Sequence, residues 1–175
     1  MRDKNTVTVA QMTDLADAKS YEFERSWSVF IKPNNTNWSV SSFLLLTTIT
    51  NIQNLWELLN ADMTLLTSAA NVFVMQAGLV PLWEEHKDIF AGGGCWSTIV
   101  RGETWSTVLT EMTLALVGEH VFDYDDVKGV CIVPVGKSHT LVKLWVRSTT
   151  RATAAALDKT LAKMRNVDSR FKAFV

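Results

Sequence analysis

Cysteine is scarce in this chain: 175 residues hold two, Cys95 and Cys131. They have no framework spacing and form no C-x-x-C, which argues against a disulfide-stapled scaffold and against a thiolate zinc module. No apolar run reaches the ~18 residues of a membrane span, and the opening MRDKNTVTVAQMTDLADAKS lacks the apolar stretch of a signal peptide. The expectation is a reducing compartment, cytosolic or nuclear, with no membrane contact, so the sequons Asn34-Asn35-Thr36 and Asn37-Trp38-Ser39 are read as chance matches. A large excess of one charge is missing too. With a net charge of -1, the chain is not a polycation built to coat nucleic acid. Catalytic signatures are absent as well: there is no G-x-S-x-G elbow and no G-x-G-x-x-G fingerprint. Gly136-Lys137-Ser138 resembles the end of a phosphate loop, but Cys131 stands where its first glycine is required and no helix follows. His86, His120 and His139 fall on separate elements without metal-ligand spacing. No catalytic residue, cofactor or metal is assigned, and the chain is read as a non-enzyme.

What is present has the pattern of one packed domain. Residues 1–20 are polar and aperiodic, a flexible tail ahead of a single domain over 21–175. Phe23, Arg25, Trp27, Val29 and Ile31 alternate as a strand does, ending in the turn KPNNTN. A second strand is expected from Val40 to Thr48. Thr50-Asn51-Ile52-Gln53 matches a capping box, and Ile52, Leu55, Trp56 and Leu59 form one helical stripe. Strands over 72–75 and 94–101 flank a loop that contains Pro81 and Gly92-Gly93-Gly94. A helix is expected from Thr104 to Glu119, a hairpin over 129–147, a third helix over 150–164 and a last strand from Arg170. Hairpin connections dominate, so the fold class is α+β, an antiparallel sheet with three helices on one face.

Charge and tryptophan are distributed unevenly. From Leu82 to Asp126 there are nine acidic and two basic side chains, whereas from Val127 to Val175 there are two acidic and ten basic ones. Such a molecule can offer a carboxylate and a cationic patch to one ligand of both signs. Seven tryptophans occur: Trp27, Trp38, Trp56, Trp83, Trp96, Trp105 and Trp145. Most suit a core, but Trp38 follows an asparagine-rich turn and Trp83 sits between a proline and two carboxylates. Aromatics on loops with polar neighbours point to binding.

In order along the chain, WSVFIKP, Trp38, NIQNLWELLN, GLVPLWEE, GGCW, LALVGE and LVKLWV resemble the messenger-RNA cap-binding translation initiation factor 4E family. The resemblance implies a curved sheet with its helices on the convex face and a cap slot on the concave side. It also implies that Trp38 and Trp83 sandwich a 7-methylguanosine, whose positive ring suits two electron-rich faces. Glu84 matches the carboxylate that accepts two hydrogen bonds from the guanine edge, and Trp145 the residue beside the methyl group. The family's two phosphate-binding cations have no counterpart by simple counting. Lys143, on the strand face of Trp145, and Lys137 are the nearest candidates. Cys95 takes a position that is often basic, and the longer C-terminal loop of the family is missing.

The resemblance also implies a second, dorsal surface. Ile52 and Trp56, with Glu111, Leu114 and Gly118, match the patch that receives an amphipathic helix of a 4G-type scaffold subunit or a 4E-binding protein. The short motif before the first tryptophan is absent, and Thr110 replaces an apolar residue, which leaves two cellular roles open. One is recruitment of capped messenger RNA by a protein that is monomeric on its own. The other is repression by a cap binder that does not recruit the scaffold. A rival from another class, a metal-dependent nucleotide hydrolase using Glu84, Glu85 and Asp88, is disfavoured because the glycine run cuts off the helix needed to aim those groups.

Overall fold

The computed structural model describes residues 21–34, 37–61, 70–119, 125–135, 139–148, 159, 165–166 and 170–174. The expected tail and most of the expected third helix lie outside them. Strand β1, Glu22–Pro33, ends at a proline, which has no N–H to give the ladder. β2, Leu44–Asn51, starts at Leu44 rather than Val40 because Val40–Ser42 winds into a 3-10 turn. The Ser42 hydroxyl donates to the Ser39 carbonyl at 2.7 Å and accepts from the Ser39 N–H, so local bonds compete successfully with strand pairing. Helix α1, Ile52–Asn60, follows directly. Its cap is Asn51, one residue after the expected Thr50: the Asn51 side chain accepts from the Asn54 N–H at 2.9 Å, while the Thr50 hydroxyl bonds the Asn54 side chain.

β3, Ala70–Gln76, leads into the segment expected as loop, which contains a 3-10 turn, Trp83–His86, and one turn of helix α2, Lys87–Phe90. Then come β4, Gly94–Arg101, and α3, Trp105–Val117, whose cap Thr104 accepts from the Thr107 N–H. The hairpin is β5, Val127–Val135, and β6, His139–Val146. Short strands β7, Arg165–Asn166, and β8, Arg170–Ala173, both add to β4.

The curved sheet is antiparallel throughout, in the order β2-β1-β3-β5-β6-β4-β7, with β8 paired to β4. Period-2 alternation splits its residues between two faces. Toward the helices point Trp27, Val29, Val74, Val130, Val142 and Leu144, packed against Leu55 and Leu58 of α1 and Val108, Leu109 and Met112 of α3. Each such burial is worth ~1.5–3 kcal/mol. The other face carries a second cluster of Phe43, Phe73, Met75, Leu79, Phe90, Cys131 and Trp145. The tryptophans sort accordingly. Trp27 is core, Trp96 and Trp105 pack against it, and Trp145 lies in the second cluster. Trp38 and Trp56 stay 53% and 54% exposed, and Trp83 is half-buried. Trp56 is thus not part of its helix's buried stripe, where Leu58 stands instead. Among the described residues no helix is long and apolar enough to cross a membrane.

Candidate functional site

Strand register fixes what meets on the face away from the helices. In one row Phe73 pairs with Cys131, Cys131 with Lys143, Lys143 with Ser97, and Ser97 with Arg170. In the next row Gly129 pairs with Trp145, Trp145 with Cys95, and Cys95 with Lys172. On β8, Phe171 packs toward the main core against Trp96, with ring centroids 5.1 Å apart, so Arg170 and Lys172 face the open side. A cavity of about 330 Å³ lies over these rows, lined by Trp83, Cys95, Lys143, Trp145, Lys172, Ala173 and Phe174.

An unbroken chain of ring contacts runs along this face. It begins at Trp38 and passes through Phe43, Phe73 and Trp145 at centroid distances of 5.9, 5.5 and 6.5 Å. From Trp145 it continues to Phe174 at 4.9 Å and ends at Trp83, 5.8 Å further on. The two partly exposed indoles are therefore the ends of one aromatic arc, and its buried middle is its floor. Each end already attracts a cation: Lys32 Nζ lies 4.4 Å from the Trp38 ring centroid, and Lys87 Nζ lies 5.8 Å from that of Trp83. The Trp145 indole N–H is buried and has no hydrogen-bond partner among the described residues, leaving a donor in the cavity wall.

The segment that presents Trp83 is held at both ends. The Val80 N–H donates to His86 Nε2 at 3.0 Å, so this histidine closes the turn. At the glycine run the chain passes too close to its neighbours for side chains. A Cβ on Gly93 would collide with the Val146 carbonyl, and one on Gly94 with the Lys172 carbonyl and the Phe171 ring. Glu84 and Glu85 are exposed on the turn, and neither lines the cavity. Among the described residues no group of His, Cys, Asp and Glu could hold a metal, so Glu84, Glu85 and Asp88 do not form one.

Electrostatically the cavity is cationic on one side and neutral on the other. Burial pushes the Cys95 thiol up, although a hydrogen bond with Ser97 and the charges of Lys143 and Lys172 pull the other way. The thiol lies 3.2 Å from the Ser97 hydroxyl. Cys131, sealed beneath, is pushed up further by burial.

Of the residues expected at the site, the cavity unites Trp83, Trp145 and Lys143. Trp38 reaches it only through the aromatic arc, and Lys137 lies outside the described residues. Sequence reasoning missed Lys172 and Phe174. Their signal was the i, i+2 alternation of the last strand, which says which residues share a face but not against which strand. On the helix side, Trp56 and Leu114 are exposed, as are Glu111 and Gly118, while Ile52 is half-buried against the core.

A family model described as eukaryotic initiation factor 4E matches residues 22–173. Among curated proteins, the eukaryotic translation initiation factor isoform 4E of Capsicum annuum is 28% identical over 159 residues, covering 87% of this chain and 77% of that protein. Eukaryotic translation initiation factor 4E-3 of Arabidopsis thaliana is 30% identical over 136 residues, covering 74% and 52%. Among solved structures, the complex of C. elegans eIF4E-3 with the 4E-binding protein Mextli and cap analog aligns with a TM-score of 0.72 at 18% identity, covering 89% of this chain and 93% of that one. Ascaris suum eIF4E-3 with m7G cap aligns at 0.69, with 18% identity and coverage of 89% and 92%.

Proposed function

The chain belongs to the eukaryotic initiation factor 4E family, a family of cap-binding proteins rather than enzymes, and from that premise we propose that it binds the 7-methylguanosine cap of messenger RNA on the open face of its sheet. The observation that carries this is the cavity shared by Trp83, Trp145, Lys143 and Lys172. It joins an electron-rich stacking surface to two cations, as a methylated purine with a phosphate chain requires. Trp83 offers one face to the purine and Trp38, at the other end of the arc, is the candidate for the second. The carboxylate of Glu84, exposed one residue from Trp83, would read the guanine N1–H and amino group once a base is seated. Lys143 and Lys172 hold the phosphates, with Lys137, which falls between β5 and β6 in the sequence, as a further candidate.

The outer surface of α1 and α3 supports the second half of the reading. Trp56 and Leu114 expose 54% and 40% of their surface on two different helices. Their apolar surface suits the amphipathic helix of a 4G-type scaffold or a 4E-binding protein, so that capped messenger RNA is recruited for translation in the cytoplasm. The solved relatives with Mextli, and the schistosome eIF4E complexed with m7GpppG and 4E-BP, pair a 4E protein with such a partner.

Titration of intrinsic tryptophan fluorescence tests the first half. 7-Methylguanosine triphosphate should quench the native protein at a concentration at least about tenfold below that needed for unmethylated guanosine triphosphate, since stacking is common to both and the charge is not. Trp83→Ala should abolish retention on a 7-methylguanosine matrix with the fold intact, and full retention would refute the site. Co-purification with a scaffold subunit distinguishes recruitment from repression.

A further inference from the structure

Directly after the last strand stands an aromatic ring whose partners only the packed sheet decides. Phe174 lies parallel to Trp83, within 3° and with centroids 5.8 Å apart, an offset stack. The phenyl ring is itself fixed: it meets Phe90 edge-on at 5.3 Å and Trp145 at 4.9 Å, and its backbone N–H donates to the Gly93 carbonyl at 3.2 Å. Trp83, by contrast, sits on a short 3-10 turn with no side-chain cap and is only half-buried. Among its described ring contacts, Phe174 is what sets the plane of that indole.

We propose that Phe174 is a positioning residue of the base-binding site, holding the Trp83 ring at the angle the purine needs and walling the cavity on its β8 side. The inference rests on the cap-binding reading above. Sheet order indicates from which side it arrives. β8 lies against β4, whereas β1, which leads to Trp38, is separated from β4 by β3, β5 and β6. Phe174, which directly follows β8, thus reaches Trp83 from the β4 edge, while Trp38 stands at the far end of the aromatic arc. Preorganisation of this kind lowers the ordering cost of binding, and its loss is felt in the dissociation rate. Residues 172 to 174 thus supply both a cation and a ring to the cavity wall.

The test is a stopped-flow and equilibrium titration of the full chain with 7-methylguanosine triphosphate, comparing Phe174→Leu, Phe174→Tyr and Trp83→Ala with the native protein. Leucine keeps most of the packing volume against Phe90 and Trp145 but has no π face. Phe174→Leu should weaken binding about three- to tenfold, mainly by faster dissociation, and Phe174→Tyr should restore it. Unchanged affinity in Phe174→Leu, an equal loss in Phe174→Tyr, or tighter binding, which would place the ring on the face the purine uses, each overturns the proposal. If Trp83→Ala binds as tightly as the native protein, the site reading fails and the proposal with it. If Trp83→Ala loses binding while Phe174→Leu does not, only the proposal fails.

Discussion

Single side chains at the site differ mainly in how much water reaches them, and the two thiols make that measurable. The thiolate is the reactive form of cysteine. Burial lifts both Cys95 and Cys131 above their ordinary value of 9.0, so at neutral pH each stays protonated. Cys95 lies on the cavity wall beside Lys143 and Lys172, whereas Cys131 is enclosed under it. Alkylation of the native protein by iodoacetamide, followed by mass spectrometry, should therefore be slow for both at pH 7. It should rise above pH 9 at Cys95 first, and a bound nucleotide should suppress it. Preferential labelling of Cys131 in the folded chain would contradict the placement of the cavity. The linkage has a definite sign: above pH 9 the unfolded chain loses a proton from Cys131 that the folded chain keeps, so stability falls as pH rises. Cys131→Val should remove that part of the decline in thermal melts.

Elements show how far local sequence reaches. The alternation of Phe23, Trp27, Val29 and Ile31 announces β1 because side-chain direction follows period 2 whatever the partner strand. β2 starts later than its hydrophobic pattern suggests because Ser39 and Ser42 bond each other, a local competition that such a pattern does not register. Trp56 and Leu55 are adjacent on an amphipathic helix, and only the packed sheet decides that Leu55 is buried while Trp56 is out. Lys172 and Phe174 were illegible for a deeper reason: their roles depend on β8 lying against β4, a pairing that no local propensity specifies. Two outcomes follow at this scale. Trp56→Ala should leave the melting temperature almost unchanged, as surface substitutions shift stability by about 0.5 kcal/mol or less. In a pull-down it should weaken capture of a 4G-type helical peptide, and a large fall in stability would show instead that Trp56 is core. Gly94→Ala should destabilise by roughly 2 kcal/mol or more, because its methyl has to displace β8 backbone and the Phe171 ring. A chemical-denaturation midpoint checks it.

Across the whole molecule the charge asymmetry seen in the sequence acquires a location. The acidic stretch, Leu82 to Asp126, includes the turn that carries Trp83 and Glu84, while the basic stretch that follows supplies β6 and β8. On the proposed reading the Glu84 carboxylate serves the base while the ammonium groups of Lys143 and Lys172 serve the phosphates, although the net charge is -1. Binding should accordingly divide into a salt-insensitive and a salt-sensitive part. Stacking and the guanine-edge contacts are short-range, and ionic strength hardly screens them. Two lysines neutralising phosphates release counterions, giving a log–log slope of affinity against salt of about -1.4 by the single-strand rule. Affinities for 7-methylguanosine and its triphosphate, measured from low to high potassium chloride, should thus converge as salt rises, with the nucleoside nearly flat. Lys172→Ala should halve the triphosphate slope while the nucleoside curve stays where it was. A triphosphate slope that survives loss of both Lys143 and Lys172 would move the phosphate contacts to other cations, Lys137 first among them, while leaving the aromatic arc as the site of the base.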